Sequence, residues 1–177
     1  MMMQVVHEAG HVGSALVTGG KVERVVLHPL TFSRTDVSPN PHPLLEIWAG
    51  PIVGVALPVL VWLVLRKLTP ESISKFVRFF AGFCCVANGI YIGLAPGGEG
   101  MDTQVMLDLG CRRWHLLLFG LPCVLFGLWL WNGTGEVFGI GQPDGRVSAK
   151  AMWVSVALLA AIVLVELLLV STGAYQK

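Results

Sequence analysis

Apolar and polar residues fall in long blocks along this chain rather than alternating residue by residue. Residues 44–65 (LLEIWAGPIVGVALPVLVWLVL), 76–95 (FVRFFAGFCCVANGIYIGLA), 114–131 (WHLLLFGLPCVLFGLWLW) and 152–170 (MWVSVALLAAIVLVELLLV) are nearly continuous apolar runs. A helix that crosses a bilayer needs about 20 such residues. The first run stops at Arg66 and Lys67, and Pro58 and Pro122 fall inside runs, where neighbouring helices can satisfy the carbonyls a proline frees. Residues 1–18 differ: their apolar positions follow helical spacing but enclose His7, Glu8 and His11. At 1.5 Å per residue they reach about 27 Å, close to one membrane thickness. They read as a first helix expected to begin upstream of Met1. A removable signal peptide is not expected, because no basic stretch leads in and no small-residue cleavage site follows.

The connections carry their own signals. After Gly19-Gly20, the β-branched runs on either side of His28-Pro29 predict two short strands, a hairpin over about residues 22–37, followed by the Pro-rich PNPHP. Residues 96–103 (PGGEGMDT) form a Gly-rich turn, and TQVMLDLG predicts a short helix closed by Gly110. Residues 132–151 read as a polar loop. The expected fold is therefore all-α and polytopic, one domain over 1–177. It has four to five membrane helices, with a small β-hairpin after the first.

Composition narrows the function. The AVILMFWYC set makes up 54% of 177 residues and charged residues only 13%, about half the charge of a soluble domain. That composition places the chain in the lipid bilayer and excludes disorder. Twelve Lys and Arg against 11 Asp and Glu leave no basic excess for nucleic acid. Four cysteines, two of them adjacent, do not make a disulfide framework; Cys84, Cys85 and Cys123 read as small packed hydrophobes. The six tryptophans lie mostly toward span ends, as an interfacial belt requires. Basic residues in alternate loops divide equally between the two sides, so charge sets no orientation.

The chemistry sits in His7-Glu8-Ala9-Gly10-His11. On a helix, positions i and i+4 share a face, so an H-E-x-x-H sequence turns two imidazoles toward one Zn²⁺ and leaves the Glu beside it as a base. Ionisable residues inside an apolar segment are costly and mark function. A catalytic zinc takes three protein ligands, and the candidates for the third are Glu99, Asp102, Asp108, Glu136 and Glu166. Asp102 is the best placed, following the Gly-rich turn at the membrane boundary and opening a short helix; the competing role is an N-cap for that helix.

HEAGH, then TGGKVERVVLHP, AGPIVG and ANGIYIGLAPGGEGMD, resemble the site-2 protease class of intramembrane zinc metalloproteases, most nearly its small bacterial members. The resemblance spans about residues 4–110. It implies His7, His11 and Asp102 as zinc ligands, Glu8 as the catalytic base and a multi-pass protein of the bacterial inner membrane. It also implies that Asn88 holds substrate or an oxyanion, whereas the residue alone reads equally as an interhelical hydrogen bond. Two departures stand out: GMDT and LDLG each match only part of the family's L-D-G, and Gly54 occupies a position where the family often has Asn.

The expected activity is hydrolysis of a peptide bond within or beside the bilayer, with Glu8 activating a zinc-bound water. The substrate is a membrane protein or peptide, which must unwind locally and can add as a strand to the edge of the hairpin. Two readings compete with it. One is a membrane zinc protease of another lineage with a Glu third ligand, Glu136 or Glu166; the other is a non-catalytic membrane metal-binding or scaffold protein.

Overall fold

The computed structural model describes residues 1–27, 33–95, 97, 98 and 100–135, together with residues 153, 156, 157, 160, 161 and 164. Among these the chain is mostly helical. The elements are α1 (Met2–Thr18), β1 (Val22–Val26), β2 (Arg34–Val37), α2 (Pro43–Leu65), α3 (Glu71–Gly93), α4 (Asp102–Asp108) and α5 (Arg113–Trp131). Helices α2, α3 and α5 are each long and apolar enough to cross a membrane. Much of their apolar surface faces outward: Leu57, Leu60 and Val64 of α2 and Leu118, Leu121 and Leu125 of α5 are all exposed. An apolar exterior on this scale is consistent with a lipid surrounding. The expected span 152–170 and the polar loop 132–151 lie outside the described residues, apart from 132–135 and the six isolated positions.

Helix starts explain the one large boundary difference. The span expected from residue 76 begins five positions earlier, at Glu71. Pro70 takes the extended N-cap conformation there, and Lys75 Nζ lies 2.9 Å from the Glu71 carboxylate, an i,i+4 pair across the first turn. These polar residues escape an apolar-run reading but suit a helix entering an interface.

The Thr18-Gly19-Gly20 sequence ends α1. Gly19 adopts φ +81° and its N–H donates to Ala15 O, the left-handed terminus that glycine takes without a Cβ penalty. Gly20 then runs against the hairpin, where a Cβ would lie 3.1 Å from Val37 Cγ1. Strands β1 and β2 pair antiparallel, Val25 opposite Thr35 and Val26 opposite Arg34, with an irregularity between Val22 and Arg24. The hairpin thus leaves α1 and returns across it before α2 begins.

Helix α2 runs back along α1 at a separation that side chains would forbid. A Cβ on Gly10 would collide with the backbone of Ala49, and one on Gly50 with the ring of His11. On the other side, α3 and α5 touch through glycines: a Cβ on Gly120 would lie 2.5 Å from Gly89 O and from Gly93 Cα. Two apolar clusters brace the bundle. Ile47, Ile92, Met106 and Leu116 pack beneath α4, and Trp62, Ala81, Cys85 and Leu130 pack toward the opposite end. There the guanidinium of Arg66 lies 5.5 Å from the centre of the Trp62 ring.

Candidate metal centre

The centre forms where α1 crosses the start of α2, the end of α3 and the start of α4. His7, Glu8 and His11 are 6%, 4% and 3% exposed, so the polar face of α1 points into the bundle. The helical i,i+4 spacing brings the two imidazoles edge to face with ring centres 5.0 Å apart. The glycines of AGPIVG make this possible. Gly50 leaves room for the His11 ring, and Gly54, one turn on, leaves room for the Asn88 amide, which a Cβ would approach to 2.9 Å. Gly54 thus supplies volume to an Asn from the neighbouring helix.

Each imidazole is held at its Nδ1. His7 Nδ1 lies 2.7 Å from Asn88 Oδ1, and the Asn88 amide is fixed in turn by donating from Nδ2 to Cys84 O at 2.8 Å. His11 Nδ1 lies 2.9 Å from the backbone oxygen of Glu46 and 2.9 Å from its carboxylate Oε1. Since Asn88 Oδ1 and both Glu46 oxygens are acceptors, the Nδ1 atoms are the donors and carry the protons. Both Nε2 atoms turn inward to the third group: Asp102 Oδ2 is 2.7 Å from His7 Nε2 and 3.5 Å from His11 Nε2.

Asp102 does not cap its helix. Met101 holds the N-cap position with no side-chain cap bond, and the Asp102 carboxylate reaches back to α1 instead. Tyr91 sets that direction: its hydroxyl accepts from Asp102 N at 3.2 Å, and its backbone oxygen accepts from Thr103 Oγ1 at 3.0 Å. Burial on its own would raise the Asp102 carboxyl, but hydrogen bonds from His11 and His7 outweigh it and hold the group down at about 2. Asp108 lies at the far end of α4, exposed, where it accepts from Gln104 Nε2 at 2.8 Å. Of the candidate third ligands, Asp102 joins the histidines and Asp108 does not; Glu99, Glu136 and Glu166 lie outside the described residues, as does His28.

Glu8 sits beside the cluster. Its Oε2 accepts from Thr35 Oγ1 of β2 at 2.7 Å, so the hairpin steers this carboxylate. A cleft of about 280 Å³ leads from Arg34, Thr35 and Asp36 to His11, Glu46 and Asp102. Asn88 is 1% exposed and stands behind His7, with Oδ1 and one Nδ2 proton engaged.

Thr35, Tyr91 and Glu46 escaped the sequence reading. Glu46 alone carried a usable signal, an acid in the first turn of an apolar run, and LLEIW presents it plainly.

The donor set suits a metal ion. His7, His11 and Asp102 each offer one ligand atom, and these atoms lie within 4.8 Å of one another. With both Nδ1 protons donated outward, each Nε2, which donates to Asp102 here, can release that proton and turn its lone pair to an ion. Two imidazoles and a carboxylate are donors of the kind that hold a zinc ion, among others. Atoms about 2.1 Å from a tetrahedral centre stand about 3.4 Å apart. The His11–Asp102 separation of 3.5 Å matches that spacing, and the His7–Asp102 pair at 2.7 Å must open slightly. No protein family, curated protein or solved structure matches the chain.

Proposed function

We propose that this chain is a multi-pass membrane zinc metalloprotease of the site-2 type, cutting a peptide bond within or beside the bilayer. One observation carries the reading: two imidazoles and a carboxylate from distant segments converge, with a buried Glu beside them that none of the three neutralises in an ion pair. A purely structural metal site has no use for that extra acid.

His7, His11 and Asp102 are the ligands, and Zn²⁺ bound there supplies Lewis acidity toward a peptide carbonyl and toward water. Glu8 takes the proton of the attacking water on its carboxylate and returns it to the departing amide nitrogen. Thr35 holds one Glu8 oxygen and so leaves the other for this transfer. The surrounding apolar helices exclude bulk water, and the cleft beside the hairpin is the route by which water and an unwound substrate reach the centre. An extended segment can add to the hairpin edge, its own amides replacing the helical hydrogen bonds it gives up.

The test is a split in two properties of the purified full-length protein. Wild type holds about one zinc per chain, and His7→Ala, His11→Ala or Asp102→Ala removes it. Glu8→Gln keeps the zinc and loses cleavage of a membrane peptide by about 10²–10⁴-fold. Zinc retained with no cleavage by the wild type points to a metal-binding scaffold instead, and cleavage by Glu8→Gln at the wild-type rate removes Glu8 from the mechanism.

A further inference from the structure

We infer that Glu46 is a positioning residue for the metal centre: its carboxylate joins its own backbone oxygen in fixing His11 with Nε2 toward the ion, and its charge makes the two imidazole ligands unequal. The inference rests on the zinc reading above, and it concerns how the ion is held rather than which bond is cut.

The place of Glu46 is unusual for an acid at a helix start. A carboxylate in a first turn gains from the helix dipole wherever it points, and an exposed position gives that gain without desolvation. Here the exposed positions of the first turn hold Leu44 and Leu45, 44% and 60% exposed, while Glu46 is 7% exposed. Burying a carboxylate costs several kcal/mol unless it is paired. The partner is His11 Nδ1, 2.9 Å from Oε1, with Asn40 Nδ2 at 3.4 Å from Oε2 holding the other side. Gly50, one turn later on the same helix, makes room for the same imidazole. Helix α2 therefore shapes both the volume and the orientation of His11.

The second imidazole has a different backing. His7 leans on Asn88, a neutral amide, whereas His11 Nδ1, hydrogen-bonded to the Glu46 backbone oxygen, also has the Glu46 carboxylate 2.9 Å away. A charge-assisted hydrogen bond is about twice as strong as a neutral one, and a carboxylate behind a ligating imidazole raises its basicity as a donor. Asp102 and Glu46 together also bring two negative charges to a dication. The Glu8 charge is then not needed to balance the ion, which leaves that carboxylate free to exchange a proton.

The experiment compares full-length wild type, Glu46→Gln, Glu46→Ala, Asn88→Ala and His11→Ala in detergent. Zinc dissociation constants come from chelator competition, and absorption spectra are taken on Co²⁺-loaded samples at saturation. Glu46→Gln keeps the size and an acceptor but loses the charge, and it is expected to weaken zinc about 10–100-fold. Glu46→Ala is expected to weaken it at least as much, and Asn88→Ala less. The Co²⁺ bands of Glu46→Gln are expected to move at full occupancy, which a residue that only supports the fold would not cause. If Glu46→Gln fails to fold, Glu46→Asp, with its charge one methylene short of Nδ1, is expected to weaken zinc about tenfold. Zinc affinity within twofold of wild type in the Glu46 variants, with His11→Ala devoid of zinc, overturns the inference and leaves the metal site intact. The expected ratios in a protein that cuts nothing leave the inference standing and overturn the protease reading. A wild type that takes up no zinc overturns both.

Discussion

Two helix pairs in this molecule meet through glycine, and they use the space differently. Between α3 and α5 the glycines oppose each other: Gly82 faces Gly127, and Gly89 and Gly93 face Gly120, so that a missing side chain on one helix admits the backbone of the other. Between α1 and α2 only Gly10 works in that way. Gly50 instead admits the ring of His11 from α1, and Gly54, on the side of α2 that meets α3, admits the amide of Asn88. One contact binds two backbones together, as small residues do between membrane helices. The other is a mould for polar side chains, and its value lies in what fills it. Helix α3 is the shared wall, with Asn88 turned to the mould and its neighbour Gly89 turned to α5.

This difference makes the two contacts separable by the same substitution. The largest effect is expected from Gly50→Ala, where the new methyl takes the place of the His11 ring. Zinc affinity should fall by more than about 100-fold, beyond the loss of an outer hydrogen-bond partner, while helix content by circular dichroism stays at the wild-type level. Retention of zinc at full affinity would show that the mould can yield and would dissolve the comparison. Next comes Gly120→Ala, whose methyl meets the backbone of α3 at Gly89 and Gly93. Overpacking of this kind costs about 1–3 kcal/mol, so the unfolding midpoint in denaturant should drop, with zinc affinity of the folded protein unchanged.

The smallest effect is in acid, and it belongs to the metal centre alone. The Asp102 carboxyl stands at about 2 in the folded protein against an ordinary value of 3.8. The unfolded chain therefore takes up this proton more readily. The contribution of Asp102 to metal-free stability is complete above about pH 4 and is lost as pH falls toward 2. Asp102→Asn should flatten the metal-free stability curve over that interval, and Gly120→Ala should shift the whole curve without changing its shape there. An acid limb equally steep in Asp102→Asn and wild type would assign it to other groups.

Much of this architecture is legible in the residues, for identifiable reasons. The i,i+4 rule places His7 and His11 on one face whatever surrounds them, and a 20-residue apolar run has few alternatives to a membrane helix. Asp102 followed from the Gly-rich turn, which has to end a span and redirect the chain. What escaped was whatever depends on which helix faces which. Thr35 is an ordinary strand residue until the hairpin folds over α1. Asn88 offers both substrate contact and interhelical bonding until its neighbour is known to be His7. Glycines in an apolar run say that something approaches closely, and only the packed bundle tells backbone at Gly120 from an imidazole at Gly50. Glu46 stood in view as a single acid at the start of an apolar run of 23 residues, but nothing in that run says it faces His11.

His7 and Asp102 are 95 positions apart in the chain, and that separation would tie metal uptake at the proposed site to folding by mass action. An unfolded chain keeps His7, Glu8 and His11 in one short segment, but it does not hold the Asp102 carboxylate near them or fix the carbonyl and amide that set the imidazole tautomers. Zinc bound there, as proposed, would select the folded state, and every tenfold rise of free metal above its dissociation constant would add about 1.4 kcal/mol to the stability of the bundle. At one hundred times that constant the gain is about 2.7 kcal/mol, comparable to the packing cost set out above for a misplaced methyl between α3 and α5. An ion held there would act on the chain as a conditional crosslink between its first helix and its fourth, released by chelation.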